Sequence, residues 1–515
     1  MKNLFPLLAP AALLTSLLLS ARPAAAQGWV GLTHSNYAGT SAAYVNPSAL
    51  ADSRHGFYLQ VVAADVSFDN TYLQLALPGA PWKSGFEFKQ EYFRERLDGR
   101  PKVARLAAEV RLPSFLLTLG PRSALAFTSR ARALVQADNV SEELARLIRF
   151  GLVDAPRLGL AGKVLTDNRF NVNASSYQEF ALSFARALTP NQTHFFKVGA
   201  SVKYLVGLGG GYVRNAGVSY RVLDARTLQI NTPGVDYAYT DNQFYKQKGF
   251  GAGTLLGGER LGQGFGADLG LTYEWRPEAA RFVYQAKDGE RPDPTVNKYR
   301  LRLGLALTDV GSIRYDNTRY VSQAAFDASR VVTLRQVDTI TFNPLARFGN
   351  TAQRLIGLRD QARAFSSALP TALRLTADYR LAPRLYAGLL WQQNLLGSRA
   401  TGPRTPSLLA LTPRLELRQV EFALPVLLAN DYRDLQIGAM LRLGPLVLGS
   451  DNLAGLFGLT TTTGADAYFG LALALGRHRR GEVGATGGKP RKMKVKVKPG
   501  AAPGVVPGAV PVPTP

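Results

Sequence analysis

Residues 265–275 read FGADLGLTYEW. Phe265, Ala267, Leu269, Leu271, Tyr273 and Trp275 share one parity, and Gly266, Asp268, Gly270, Thr272 and Glu274 share the other. Successive side chains of a strand point to opposite faces, so this segment is a strand with one apolar face and one polar or very small face. A half-buried strand in a soluble sheet has the same pattern. Length separates the two: a run of about eleven residues ending in Tyr and Trp matches a strand crossing a bilayer at a tilt, its aromatics at the interface.

The design recurs along the chain. Phe180, Leu182 and Phe184 alternate with Glu179, Ala181, Ser183 and Ala185, and Phe196 through Val206 alternates with Lys197, Gly199, Ser201 and Lys203. Tyr299, Leu301, Leu303, Leu305 and Leu307 oppose Arg300, Arg302, Gly304 and Ala306. Leu373 through Leu381 opposes Arg374, Thr376, Asp378 and Arg380, Leu435 through Leu443 opposes Gln436, Gly438 and Arg442, and a last strand covers Phe469–Leu475. Earlier strands are expected at 57–64 and 72–77, with Asp69-Asn70 turning between them, and at 106–119 and 123–133. In a soluble sandwich the outward face carries ordinary charges. Here the apolar parity is nearly free of charge, and the polar parity is Gly and Ala with single ions between, as in a crowded, partly wet barrel interior.

Composition narrows the class further. The 515 residues include no Cys, which removes disulfides, thiolate metal sites and thiol nucleophiles. His34, His55, His194 and His478 lie far apart and form no pair at metal-ligand spacing. No cofactor or metal is implied, and an enzyme is disfavoured. A net charge of +24 raises nucleic acid as a partner, but the N-terminus argues against it. Lys2, the apolar run Leu4–Leu19 and Ala24-Ala25-Ala26 form a signal peptide over 1–26, cleaved near Ala26. No later stretch approaches the ~20 apolar residues of a membrane helix. The chain is therefore exported, either to an outer membrane as a barrel or as a secreted β protein.

Between the strands, residues 27–56 are small and polar around Asn46-Pro47-Ser48-Ala49-Leu50 and read as a compact lead-in. Ser141 followed by Glu142-Glu143, with Gly151 as stop, predicts a helix over 141–150, a lumen plug or turn element. Residues 207–264, 277–297 and 309–367 are long excursions, with a second short helix expected within 342–367, whereas Ala382-Pro383-Arg384 is a tight turn. Gly207–Gly211 and Gly249–Gly253 lack the Lys-Ser/Thr of a phosphate loop and read as loop glycines. After 476 come Arg477, Arg479, Arg480, Lys489, Arg491, Lys492, Lys494, Lys496 and Lys498, then a Pro/Gly/Val/Ala run to Pro515. That tail is expected to be disordered and periplasmic.

On the polar parity Lys197, Lys203, Arg300, Arg302, Arg374, Arg380 and Arg442 outnumber Glu179, Asp268, Glu274 and Asp378. Two readings stand: internal salt bridges that fill a closed barrel, or a basic lumen that attracts anions.

A signal peptide, a lead-in with Tyr44-Val45-Asn46-Pro47-Ser48-Ala49-Leu50-Ala51 and barrel strands together resemble the long-chain fatty-acid transporter superfamily, whose N-terminal hatch carries a similar Asn-Pro-Ala motif. GFGADLGLTY at 264–273, LGLALTDVGSIRY at 303–315 and SSYQEFALSFA at 175–185 look more specifically like a family of uncharacterised outer-membrane barrels. The resemblance implies a barrel of about 14 strands, roughly 12 to 16, over 57–476, with 27–56 as a hatch inside the lumen. The implied function is passage of small hydrophobic or anionic molecules through a plugged lumen in contact with outer-membrane lipid. The alternative is a structural or assembly barrel whose basic segment Arg477–Lys498 recruits a periplasmic partner or the cell wall.

Overall fold

The computed structural model describes residues 28–477, apart from 78–88, 189–192, 252–258, 328–331, 336–363 and the single positions 216, 233, 242, 250, 288 and 460. The stretch expected to be a signal peptide, the tail beyond Arg477 and most of the stretch expected to hold a second short helix lie outside the described residues.

Fourteen antiparallel strands close on themselves. In chain order they are β1 (His55–Asn70), β2 (Lys102–Thr118), β3 (Ser123–Val140), β4 (Asn171–Ala187), β5 (His194–Asn215), β6 (Gly262–Trp275) and β7 (Leu301–Tyr315). Then come β8 (Phe365–Ala368 and Ala372–Ala382), β9 (Leu385–Asn394) and β10 (Leu408–Glu416). The last four are β11 (Val420–Ala423 and Val426–Ala429), β12 (Asp434–Ile437 and Ala439–Leu443), β13 (Leu446–Ser450) and β14 (Gly464–Gly476). β14 pairs back onto β1, Phe57 against Leu475 through Asp69 against Gly464. Closure leaves no open edge, the condition for placing a sheet in hydrocarbon. Among the described residues no helix is long and apolar enough to cross a membrane.

β6 shows how the two parities are used. Phe265, Leu269 and Leu271 face outward at 68%, 58% and 52% exposure, while Asp268, Thr272 and Glu274 are buried inside. The same outward row continues through Val202 on β5, Leu303 and Leu305 on β7 and Leu375 on β8, an apolar belt suited to lipid.

Several strands run further than the alternation alone indicates. β1 continues to Asn70, so Asp69-Asn70 ends that strand instead of turning into a barrel neighbour, and Leu73–Leu75 pairs outside the wall with Phe93–Glu95. β5 runs to Asn215, so Gly207, Gly209, Gly210 and Gly211 are strand glycines. Tyr315 passes over two of them: a Cβ at Gly207 or Gly210 would lie 2.7 or 2.9 Å from its ring, and one at Gly211 would lie 2.8 Å from the Ala238 carbonyl. The helix α1 (Glu142–Phe150) forms with Ser141 as N-cap, its Oγ accepting from Leu144 N at 3.2 Å. It is not a lumen plug. Leu147 packs with Ala155, Leu160, Val218, Tyr220 and Val222 against a small four-stranded sheet built from the β3–β4, β5–β6 and β7–β8 connections.

One rim carries the turns 119–122, 383–384, 417–419 and 444–445 together with both ends of the barrel. The connection 276–300 belongs to this rim although it is long, because β6 ends and β7 begins there. The other rim carries the connection around α1 and the described parts of the connections that follow β5 and β7.

Candidate functional site

The lumen is filled by its own N-terminal segment. Val30–Leu32, Gly39–Tyr44 and Pro47–Leu50 are short 3-10 turns with most of their residues buried. Such turns suit a segment of Gly, Ala and Ser that has no apolar stripe for a longer helix.

Asn46-Pro47-Ser48 seats on β5, β6 and β7. Asn46 Oδ1 accepts from Ser48 N at 3.0 Å and Ser48 Oγ at 2.6 Å, capping the turn, and Pro47 begins it without needing an N–H partner. Asn46 Nδ2 donates to the Leu271 carbonyl at 2.9 Å, and Ser48 Oγ meets Thr272 Oγ1 at 2.7 Å. The wall is glycine where the turn touches it. A Cβ on Gly270 would lie 2.0 Å from Asn46 Oδ1, one on Gly199 2.5 Å from Pro47 C, and one on Gly304 3.0 Å from Asn46 Nδ2. Inward glycines on neighbouring strands thus form a socket cut to the plug's backbone.

The opposite wall is ionic. Arg414, wholly buried, forks onto Asp378 at 3.1 and 3.0 Å and reaches Glu416 at 2.8 Å. Arg442 pairs with Glu421 at 3.0 Å, and Arg302 with Asp378 at 3.0 Å. The plug lies on these groups: Ser35 Oγ donates to Glu421 at 2.7 Å, and Asn36 Nδ2 to Glu416 at 3.0 Å. Arg302 donates to the His34 carbonyl at 2.6 Å. Burial pushes the His34 imidazole down to about 3, with Arg414 and Arg302 adding to it against the opposing pull of Asp378.

A second network occupies β2–β7. Arg130 forks onto Glu179 at 3.0 Å and reaches Glu109 at 3.0 Å and Asp309 at 3.3 Å. Arg132 pairs with Asp309 at 3.0 Å, and Lys203 with Asp268 at 2.7 Å and with Asp309. A register shift between β6 and β7 at Ala267/Leu269, with Asp309 at φ +55° and its N–H on Asp268 at 2.7 Å, presents this extra carboxylate. Near the short-turn rim Lys197 pairs with Glu274 at 2.6 Å, and Arg276 with Glu274 and with Asp52 at 2.8 Å. Burial would raise the Asp52 carboxyl, but Lys298, Arg276, Lys197 and Arg477 outweigh it and hold it well below the usual carboxylate range.

Of the charged residues expected to line the lumen, Lys197, Lys203, Asp268, Glu274, Asp378 and Arg442 are buried inward, and Arg302 and Arg374 reach the plug. Arg300 is a correction. It precedes β7 and so escapes the alternation: it packs on Tyr379 outside, its Nε donating to the phenol at 3.2 Å, while Tyr299 turns inward to Asp378. Arg380 sits at the rim beside Glu278, 3.7 Å away. Sequence reasoning missed Arg130, Arg132, Arg414, Glu416, Glu421 and Asp309. Arg130-Ala-Arg132 at one parity was a usable signal; the bulge at Asp309 had none.

Two cavities flank the plug. The larger, about 190 Å³, lies toward the long-loop rim and is lined by six arginines (105, 111, 130, 132, 374 and 404) against the carboxylates of Asp65, Asp69, Glu109 and Asp309. The smaller, about 70 Å³, lies toward the short-turn rim, with Arg54, Lys197, Arg276, Lys298 and Arg302 against Asp52 and Glu274. Thr33 and Val45 line both, so the partition is thinnest there.

Among solved structures the chain is similar to a FadL homologue of Pseudomonas aeruginosa, with 13% identity and a TM-score of 0.35 over 88% of this chain and 96% of that one. It is also similar to a TodX deletion mutant, a monoaromatic hydrocarbon channel (11%, 0.38, 85% and 93%), and to CymD, another monoaromatic hydrocarbon channel (8%, 0.31, 88% and 96%). The barrel assignment rests on the strand pairings. A search of curated proteins finds no match. Residues 47–451, from the plug's proline to the loop after β13, match the model of a family of unknown function (DUF5723), and the chain belongs to that family.

Proposed function

We propose that the protein is a plugged channel of the outer membrane that passes small molecules, anionic ones in preference to hydrophobic ones. One observation carries the reading: cavities with charged groups in their lining lie on both sides of the plug, and Thr33 and Val45 face both. A barrel serving only as an anchor needs no chambers in series. Both chambers hold more cations than carboxylates, which lowers the barrier to an anion and raises it for a cation. The larger cavity has apolar lining from Trp29, Leu32, Leu134, Leu390 and Leu408, but the smaller one is mainly polar, so among the described residues no apolar path continues past the plug. Barrels of this kind place short turns in the periplasm, so the rim with both barrel ends faces inward to the cell.

Conductance in planar lipid bilayers tests the reading, and the absence of native cysteine makes a lock possible. Ser48 Oγ and Thr272 Oγ1 are 2.7 Å apart, so the pair Ser48→Cys/Thr272→Cys should crosslink plug to wall. Oxidised protein should conduct little, and reduction should restore an anion-selective current. A reduced, folded barrel that carries no current, or one that prefers cations, would falsify the assignment.

A further inference from the structure

Arg374 differs from the other cations of the larger cavity. Arg111, Arg130 and Arg132 pair with Glu109, Glu179 and Asp309, Arg105 with Asp69 and Asp431, and Arg404 with Asp138. Arg374, inward on β8, has no carboxylate in ion-pair reach among the described residues. Its Nε donates to Gln392 Oε1 at 2.8 Å, and its Nη1 to the main-chain carbonyl of Tyr44. A neutral carbonyl is a weak partner for a guanidinium, whose planar fork matches a carboxylate or phosphate. A second donor on the same cavity is also open: Arg105, more than nine-tenths buried, leaves its Nε without a partner.

The plug residue that Arg374 holds is itself distinctive. The Tyr44 ring lies between Arg111 and Arg130, 4.6 and 4.4 Å from the guanidinium carbons, and its hydroxyl is buried without a partner. The next residue is Val45, half of the thin partition between the cavities.

We infer that the larger cavity is a binding site for a small oxyanion, carboxylate or phosphate, held by Arg374, and that the oxyanion opens the plug by displacing the Tyr44 carbonyl. A charged oxygen makes a stronger bond to guanidinium than the carbonyl it replaces, so binding releases the chain at Val45, where least material separates the chambers. Cargo and opening signal are then one molecule. The inference rests on the channel reading for its purpose, but binding is measurable without flux.

The full-length protein in detergent micelles, titrated with inorganic phosphate in one arm and benzoate in the other, tests it through tryptophan fluorescence, since Trp29 lines the cavity. Saturable quenching is expected in at least one arm, together with faster hydrogen exchange at residues 33–45. Which arm saturates separates an inorganic from an organic anion. Arg374→Gln should weaken binding about tenfold or more, the loss of one charge-assisted bond. Arg374→Lys, which keeps the charge but not the fork, should fall between, and it carries the test if the Gln variant does not fold. Equal quenching in wild type and both variants, or no saturation in either arm with a folded barrel, overturns the site; saturation with unchanged exchange at 33–45 overturns the displacement of Tyr44. A barrel that binds but never conducts overturns the channel reading alone.

Discussion

Around Gly199, Gly270 and Gly304 on β5–β7 the wall meets Asn46-Pro47-Ser48 with glycines, and between β10 and β12 it meets Ser35 and Asn36 with charges. At the first contact Gly199, Gly270 and Gly304 let the Asn46-Pro47-Ser48 backbone approach closely, and the bonds across it are neutral. At the second, Ser35 and Asn36 bond to carboxylates whose own charge is balanced by Arg414 and Arg442. A close neutral fit is insensitive to salt and pH but fails when volume is added. An ionic contact tolerates some slack but fails when a partner is removed or a proton arrives. One plug held by both kinds of contact has a fixed side and a side that solution conditions can loosen.

The largest effect is expected where the ionic wall loses its central cation. Arg414→Ala leaves Asp378, Glu416 and Glu421 buried together, at a cost of about 3–5 kcal/mol. The temperature at which the folded gel band is lost in detergent should drop, and Arg414→Lys should recover little because it cannot fork onto Asp378. A full rescue by Lys would mean that charge alone matters at that wall.

The glycine wall should respond in the plug and not in the barrel. Gly270→Val places a side chain where Asn46 now sits and should destabilise docking by about 1–3 kcal/mol. Residues 30–50 should become open to protease while the barrel's melting is unchanged. Asn46→Ala removes both the cap of the turn and its bond to the Leu271 carbonyl, and should give the same pattern at about 1–2 kcal/mol. If either variant lowers barrel melting as much as Arg414→Ala does, the two walls are not separable.

How much of this was legible in the sequence follows the same division. The outward faces were readable because lipid demands an apolar residue at every second position, as in Phe265, Leu269 and Leu271. Alternation lost contrast toward the long-loop rim, where Gly207 and Gly209–Gly211 carry no side chains to alternate, so β5 read short. It also failed where Pro425 breaks β11 into two pieces of four residues, whereas β12 was readable across Gly438. The hatch motif was visible as a motif, but its socket was not: Gly199, Gly270 and Gly304 are ordinary strand glycines until Asn46-Pro47-Ser48 is placed on them. The ionic wall was half visible. Asp378 and Arg442 stood out at their parity, whereas the pairing of Arg132 with Asp309 joins residues 177 positions apart through a bulge that periodicity does not encode.

The smallest expected effect concerns pH and bears on the loosenable side alone. His34 is buried against Gly388, its Nε2 without a partner, and its pKa in the fold is about 3 against an ordinary 6.5. Above about pH 6.5 the imidazole is neutral both docked and released, so docking is unaffected. As pH falls below 6.5 the released plug takes up the proton first, docking becomes less favourable, and the loss continues down toward pH 3. Hydrogen exchange at residues 33–38 should therefore rise on acidification from pH 7 to 5, with exchange at 46–50 on the glycine wall changing less. His34→Asn, which cannot take up that proton, should flatten the response. If the two ends of the plug loosened together in wild type and variant alike, the plug would move as one body, and the contrast between its walls would describe their chemistry without describing its motion.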